Sequence, residues 1–142
     1  MKYLFYSALI AFTLLSCSDD DSSNTTDSQS IVGTWQLETT SLNDEAFDLT
    51  PCELNNTVKF TDAGRVTFVY YYGNDANSCQ TDAIETGDWV KEGDNLTITW
   101  DDADAGLETY HLNITELSGS TLKWKTTITG EDTLKESYSK QQ

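Results

Sequence analysis

The feature that most constrains this chain is the recurrence of short runs in which apolar and polar residues alternate, each closed by turn-forming residues. In "RVTFVYYY", Val66, Phe68, Tyr70 and Tyr72 share one face. Leu96, Ile98 and Trp100 alternate with Thr97 and Thr99, and Tyr110, Leu112 and Ile114 with Thr109, His111 and Asn113. Leu122, Trp124 and Ile128 oppose Lys123 and Lys125. A period of two places successive side chains on opposite faces of a strand, one apolar and one wet. The abundant β-branched threonines suit that pleated surface. Eight runs of this kind lie between Ile31 and Ser139: IVGTWQLET, NTVKFT, RVTFVYYY, IETGDWVKE, NLTITWD, LETYHLNIT, TLKWKTTIT and DTLKESYS. Beyond residue 30 no segment carries a helical period.

Three connections read as hairpin turns: DAG with Gly64, GDN around Gly93-Asp94, and ELSGS. The single proline, Pro51, falls in the loop before Cys52. Eight amphipathic antiparallel strands in about 110 residues make an all-β domain, either a closed up-and-down barrel or a two-sheet sandwich. A barrel leaves no exposed edge.

Residues 1–16 follow a different rule. Met1-Lys2 is followed by an apolar run from Tyr3 to Leu15 broken only by Ser7 and Thr13. It is shorter than the ~20 residues of a membrane-spanning helix and matches the apolar region of a signal peptide. The alternative is a buried first helix, but nothing later is helical and apolar enough to pack against it. "LLSC", Leu14 to Cys17, resembles the lipobox of bacterial lipoproteins, although Leu15 stands where a small or β-branched residue is more usual. The resemblance implies cleavage before Cys17, acylation of that cysteine, and a chain held by lipid rather than spanning the membrane. "SDDD", Ser18 to Asp21, resembles the acidic export signal of Bacteroidota surface lipoproteins. It implies an outer-membrane anchor with display at the cell surface. A periplasm-facing position is the alternative, as is a merely solvated acidic linker.

Residues 17–30 are almost wholly Ser, Asp, Asn, Thr and Gln. They cannot bury apolar surface and are expected to be a flexible tether. Loss of residues 1–16 removes Lys2 and no acid, taking the formal charge from −16 to −17. So acidic a chain is repelled by nucleic acid and by anionic lipid surfaces. After Cys17 two cysteines remain, Cys52 and Cys79. In an oxidising compartment an even pair reads as a disulfide, with two free thiols as the alternative.

"IVGTWQL" carries Gly33-x-Trp35, which resembles the G-x-W signature on the first strand of lipocalins and related calycin barrels. The order of later features is similar to lipocalin-like domains of Bacteroidota lipoproteins: Cys52, Phe60-x-x-x-Gly64, Cys79, Gly87-Asp88-Trp89 and Leu96-Thr97-Ile98. The likeness spans Ile31 to about Tyr138 and implies an eight-stranded antiparallel up-and-down barrel over residues 31–142. One departure stands out. Lipocalins usually set an Arg of the last strand against the signature Trp, whereas the only arginine here is Arg65. Lys135 is the candidate substitute, without the flat guanidinium that stacks on an indole.

An eight-stranded barrel is filled by its own side chains or holds one small ligand. The expected inward set is Trp35, Phe60, Phe68, Tyr70, Trp89, Trp100, Tyr110 and Trp124. On strands of about six to nine residues, such groups line a pocket or fill the lumen. Tyr70-Tyr71-Tyr72 is a candidate aromatic mouth, or ordinary strand packing. The chain has one histidine, His111, on an expected outward face, and no G-x-S-x-G nucleophile motif, so no catalysis is expected. No cofactor and no zinc site are expected either, since Cys52 and Cys79 lack a neighbouring His. Asp101, Asp102 and Asp104 in "WDDADAG" offer oxygen ligands of the kind calcium takes but lack the EF-hand spacing. "DTL", Asp132 to Leu134, fits a short O-glycosylation pattern of Bacteroidota, or occurs by chance.

The reading is a lipid-anchored barrel whose partners are the membrane, through acyl chains on Cys17, and a small apolar or amphipathic ligand. The alternative is a filled barrel that contacts another envelope protein or a glycan through its loops. Replacing Cys17 with Ala is expected to move the protein from the membrane to the soluble fraction on cell fractionation. A variant that stays with the membrane removes the anchor.

Overall fold

The computed structural model describes residues 30–101, 109–128 and 130–142. Cys17, Asp102 and Asp104 lie outside them. Nine strands follow in order: β1 (Gly33–Leu42), β2 (Glu45–Ala46), β3 (Thr57–Phe60), β4 (Arg65–Tyr72), β5 (Gln80–Glu92), β6 (Asn95–Trp100), β7 (Thr109–Leu117), β8 (Thr121–Thr127) and β9 (Thr133–Lys140). β2 is a two-residue ribbon folded back on the end of β1. The other eight pair antiparallel with their neighbours, and β9 pairs with β1 to close the ring. The fold is the expected eight-stranded up-and-down barrel.

The turns carry the expected chemistry and one more. Gly64 (φ 78°) and Gly93 (φ 58°) supply left-handed positions in the β3–β4 and β5–β6 hairpins. The β1–β2 turn places Asn43 (φ 51°) and Asp44 (φ 70°) both left-handed, a two-residue turn that Asn and Asp tolerate better than other non-glycine residues. Asn43 Nδ2 donates to Asp132 (2.7 Å) and its Oδ1 accepts from the Thr133 amide (2.9 Å), so this turn also holds the start of β9.

The eight barrel strands run from four residues in β3 to thirteen in β5, a wider spread than the expected six to nine. β5 is long because it serves two partners in succession: its first part pairs with β4 and its second with β6. Three strands also carry an extra residue. Leu37 pairs with Tyr138 and Thr39 with the adjacent Ser137, leaving Glu38 unmatched. Thr115 is unmatched in β7 and Asp82 in β5. Each bulge reverses the alternation. Before Glu38 the inward residues of β1 are Trp35 and Leu37; beyond it, Thr40 and Leu42 pair with inward-facing Glu136 and Leu134. The Asp82 bulge lies where Tyr70 and Tyr71 meet β5, and Tyr72 is half exposed instead of continuing the inward face. Its hydroxyl bonds Gln80 Oε1 at 2.5 Å.

The barrel closes around the first signature. Trp35 is fully buried, and its Nε1–H donates to the Ile31 carbonyl at 2.7 Å. Trp35 pairs with Lys140 across the closing seam, and Lys140 Nζ sits 5.1 Å from the indole centroid. The last strand therefore does place a cation on the signature tryptophan. It is Lys140, not Lys135, which instead binds Asp44. A side chain on Gly33 would meet the Lys140 chain at 2.7 Å, so the glycine makes room for the cation to reach the indole. The second signature works by the same logic. A Cβ on Gly87 would lie 2.4 Å from the Thr99 carbonyl oxygen. The Trp89 amide donates to Gly64 O (2.8 Å) and its indole to Thr61 O (3.1 Å), so Trp89 covers the β3–β4 turn.

Trp35, Val58, Phe60, Val66, Ile98, Leu122 and Trp124 form the fully covered centre of the core. Burying side chains of this size is worth roughly 1.5–3 kcal/mol each. Among the described residues one buried core position is polar. Thr126 is buried, and its hydroxyl donates to the His111 carbonyl at 2.7 Å, where β7 and β8 part beyond Asn113. The expected sequel to Trp124 on this face was Ile128; it lies past the end of β8, and Thr126 takes the inward place. His111 is on the outer face as expected, 3.4 Å from Thr97 Oγ1.

Arg65 ties three strands together at the surface, with Nη1 2.8 Å from Asp88 and 2.9 Å from Asp101, and Nη2 bonded to Asp101 as well. Thr86 Oγ1 donates to the same Asp101 carboxylate at 2.5 Å. Asp101, a candidate calcium ligand from sequence, is thus engaged by a guanidinium. Its hydrogen bonds to Arg65 and then Thr86 lower its pKa from 3.8 to about 2. Its contribution to stability is therefore complete above pH 3.8 and fades as pH falls through about 2. Arg65→Met is expected to raise the Asp101 carboxyl toward the ordinary range in an NMR titration, with the Thr86 hydrogen bond still holding it somewhat low. An unchanged value means that the guanidinium does not hold it.

Cys52 and Cys79 form a disulfide across 27 residues, linking the loop before β3 to the residue before β5. Cys52 is fully buried, and a Cβ on Gly73 (φ 129°) would come within 2.9 Å of its sulfur. Closing a loop of this size contributes about 3.5 kcal/mol on the chain-entropy model. Reduction is expected to lower the melting temperature by on the order of 10 °C. An unchanged melting temperature, or two titratable thiols in the untreated folded protein, removes this cross-link from the account.

Candidate functional site

The inward aromatics divide into two groups. Trp35, Phe60 and Trp89 pack one end of the barrel, with Phe60 edge-on to Trp89 at 5.6 Å and to Trp124 at 6.3 Å. Phe68, Tyr70, Trp100, Tyr110 and Trp124 instead line a cavity of about 600 Å³ in the other half. Phe68 is its hub: Trp100 meets it edge-on at 5.3 Å, and Tyr70 stacks at 6.0 Å. Leu112, Leu134 and Tyr138 complete the apolar wall. The lumen is thus filled at one end and open at the other, where sequence left the two outcomes as alternatives. Ile84, Thr86 and Asp101 mark the rim. There β6 pairs with β5 only as far as Trp100–Gly87, while β5 continues along β4 back to Gln80.

Three acids line the cavity, Glu85, Asp101 and Glu136, and Glu136 is the least exposed of them. Glu136 occupies the inward register of β9 between Leu134 and Tyr138, opposite Thr40 of β1 and Trp124 of β8. Its Oε2 accepts from Trp124 Nε1–H at 2.7 Å and from the Tyr138 hydroxyl at 3.0 Å. Burial pushes the carboxyl above its ordinary value, and the two hydrogen bonds oppose that shift. Burial also raises Tyr70, Tyr110 and Tyr138, with the Glu136 charge adding to each, so all three hydroxyls stay protonated. The cavity therefore combines aromatic faces, neutral hydroxyls and carboxylates. Glu136 was missed in the sequence, yet the cue was there: in "TLKESYS" a lone acid holds the parity of Leu134 and Tyr138.

A second concavity of about 1140 Å³ lies on the outer wall. Asn43, Asn95, Thr97, His111, Asn113 and Lys125 line it together with Leu96, Tyr110, Leu112 and Ile128, so polar and apolar groups are mixed there. Among the described residues no group of three or more His, Cys, Asp or Glu side chains is arranged to hold a metal ion.

Comparison with known proteins agrees with this architecture. The sequence profile of the lipocalin-like domain matches residues 31–124. A lipocalin-like protein from Bacteroides uniformis ATCC 8492 superposes with a TM-score of 0.55 at 16% identity, covering 78% of this chain and 97% of the other. An uncharacterized protein from Bacteroides eggerthii DSM 20697 gives a TM-score of 0.54 at 16% identity, with 78% and 98% covered. At such identities the likeness speaks for the fold alone. No curated protein matches the sequence. The profile match over most of the folded region, on a ring closed behind a G-x-W tryptophan, shows that the chain belongs to the lipocalin-like domain family.

Proposed function

We propose that this protein binds a small hydrophobic or amphipathic molecule inside its barrel, without chemical turnover, while anchored through acyl chains on Cys17 to the outer membrane at the cell surface. The observation that carries the binding reading is the half-open lumen. A cavity of about 600 Å³ falls within the roughly 300–1,000 Å³ of small-molecule sites, and its wall has their usual character, aromatic with a few convergent polar groups. The anchor and the surface position rest on the Leu14–Cys17 and Ser18–Asp21 stretches alone. A site set off from the membrane by an acidic tether suits capture of a ligand from the surroundings. The chain's one histidine, His111, is on the outer face, away from the cavity.

A second reading draws on the outer concavity, whose asparagines, threonines and His111 suit a glycan or the polar surface of another envelope protein. It needs no occupant in the lumen.

The binding reading is tested by native mass spectra of the purified protein before and after organic extraction, with thermal shifts on adding small apolar compounds. A removable bound mass, or stabilisation of about 2.7 kcal/mol at a hundredfold excess over Kd, is expected. Leu134→Trp, which fills the cavity from its wall, is expected to stay folded and to lose both effects. A clean mass with no stabilisation by any apolar compound overturns the reading in favour of the outer surface.

A further inference from the structure

We infer that the cavity selects apolar molecules that carry one ammonium group and rejects anionic ones, with Glu136 as the counter-charge and the specificity-determining residue. The inference rests on the binding reading above and names its ligand class.

The wall is charged in one sense only. Its ionisable acids are Glu85, Asp101 and Glu136, and no Lys, Arg or His is among its lining residues. These acids are not equivalent. Asp101 stands at the rim and is neutralised by Arg65. Glu85 stands opposite Phe68 near the rim and acts on the Tyr70 hydroxyl, but it is exposed to solvent, which screens its field at a bound ligand. Glu136 lies deep among Trp124, Tyr138 and Leu134, and among the described residues no cation pairs with it. A carboxylate set in an apolar wall without a cation is unfavourable unless something else compensates.

The compensation inside the protein covers one oxygen. Both donors, Trp124 Nε1–H and the Tyr138 hydroxyl, converge on Oε2. No described residue donates to Oε1, and among the described residues no buried side-chain oxygen lacks a partner, so Oε1 of the partly exposed Glu136 faces the cavity. An ammonium there would complete the set with a charge-assisted hydrogen bond. The aromatic faces of Phe68, Trp100 and Tyr110 would attract the same charge. A ligand carboxylate would meet Glu136 in a poorly hydrated space with no cation to offset the repulsion. The net charge of −16 favours cation entry at longer range.

The raised pKa of Glu136 agrees with this geometry, since it marks a carboxylate whose surroundings under-compensate its charge. The titratable groups facing it are Tyr70 from β4, Glu85 from β5, Asp101 beyond β6, Tyr110 from β7 and Tyr138 on β9 itself. β8 contributes the indole of Trp124 and β1 the neutral Thr40.

The test is calorimetric titration of the full protein at pH 7 with three probes of one chain length: octylammonium, octan-1-ol and octanoate. Octylammonium is expected to bind about tenfold tighter than octan-1-ol, and octanoate more weakly than either. Glu136→Gln keeps an acceptor for Trp124 and Tyr138; it is expected to cancel the advantage of the amine while octan-1-ol binds as before. If octan-1-ol binds but the three probes are not discriminated, or octanoate binds best, the charge selection is overturned and the pocket stands. If none binds, pocket and selection fall together. An amine preference that survives in Glu136→Gln overturns the role of Glu136. Should that variant lose its native circular dichroism, the order of the probes on the unmodified protein decides.

Discussion

The closing pair of strands is the constraint on which the rest depends. Seven of the eight barrel junctions join strands adjacent in the chain once the β2 ribbon is set aside, but β1 and β9 lie about a hundred residues apart. Their junction must be made by contacts worth the loop entropy they close. Trp35 supplies them. It is the fully buried residue at the seam, anchored through its indole N–H to Ile31 O and overlaid by Lys140 from the far end of the domain. Gly33 belongs to the same device, because any side chain there would push Lys140 away. With the ring closed, each of the eight barrel strands has two neighbours and the inner face becomes a lumen.

What the lumen becomes is then a matter of volume. At the Trp35 end the rings of Trp35, Phe60 and Trp89 fill it, whereas in the other half Phe68, Tyr70, Trp100, Tyr110 and Trp124 line the wall and leave a cavity between them. The disulfide lies in the loops outside the lumen, so its stabilising effect takes no interior space. A carboxylate in that open half works against stability in the empty protein. Proteins retain such groups where function needs them, and the position of Glu136 among aromatic rings sets the chemistry of whatever enters.

Much of this was legible in the sequence, because strand parity, turn residues and the two G-x-W signatures are local signals. Phe68, Trp100 and Trp124 could be placed inward from alternation alone. Three things were not legible. Lys140 could not be chosen over Lys135 as the partner of Trp35, since the choice depends on the register across a seam of residues distant in sequence. Alternation gives Thr126 the parity of Leu122 and Trp124, but the carbonyl that lets its hydroxyl be buried belongs to the neighbouring strand, which no pattern within one strand reports. Filled and open lumens could not be told apart, because the same aromatics serve either outcome until the tilt and stagger of the strands set the width.

The bulges at Glu38, Asp82 and Thr115 have a consequence for how such a chain tolerates changes in length. Within a regular strand, losing one residue turns every later side chain to the wrong face. At a bulge the reverse holds. Without Glu38, Leu37 would be followed directly by Thr39 opposite Ser137, and Thr40 and Leu42 would still point inward. The same holds for Thr115, where Leu117 keeps its place opposite Leu122. Strands are usually the parts of a fold least able to absorb a deletion. In this barrel they contain single-codon positions whose removal leaves the inside and the outside as they were.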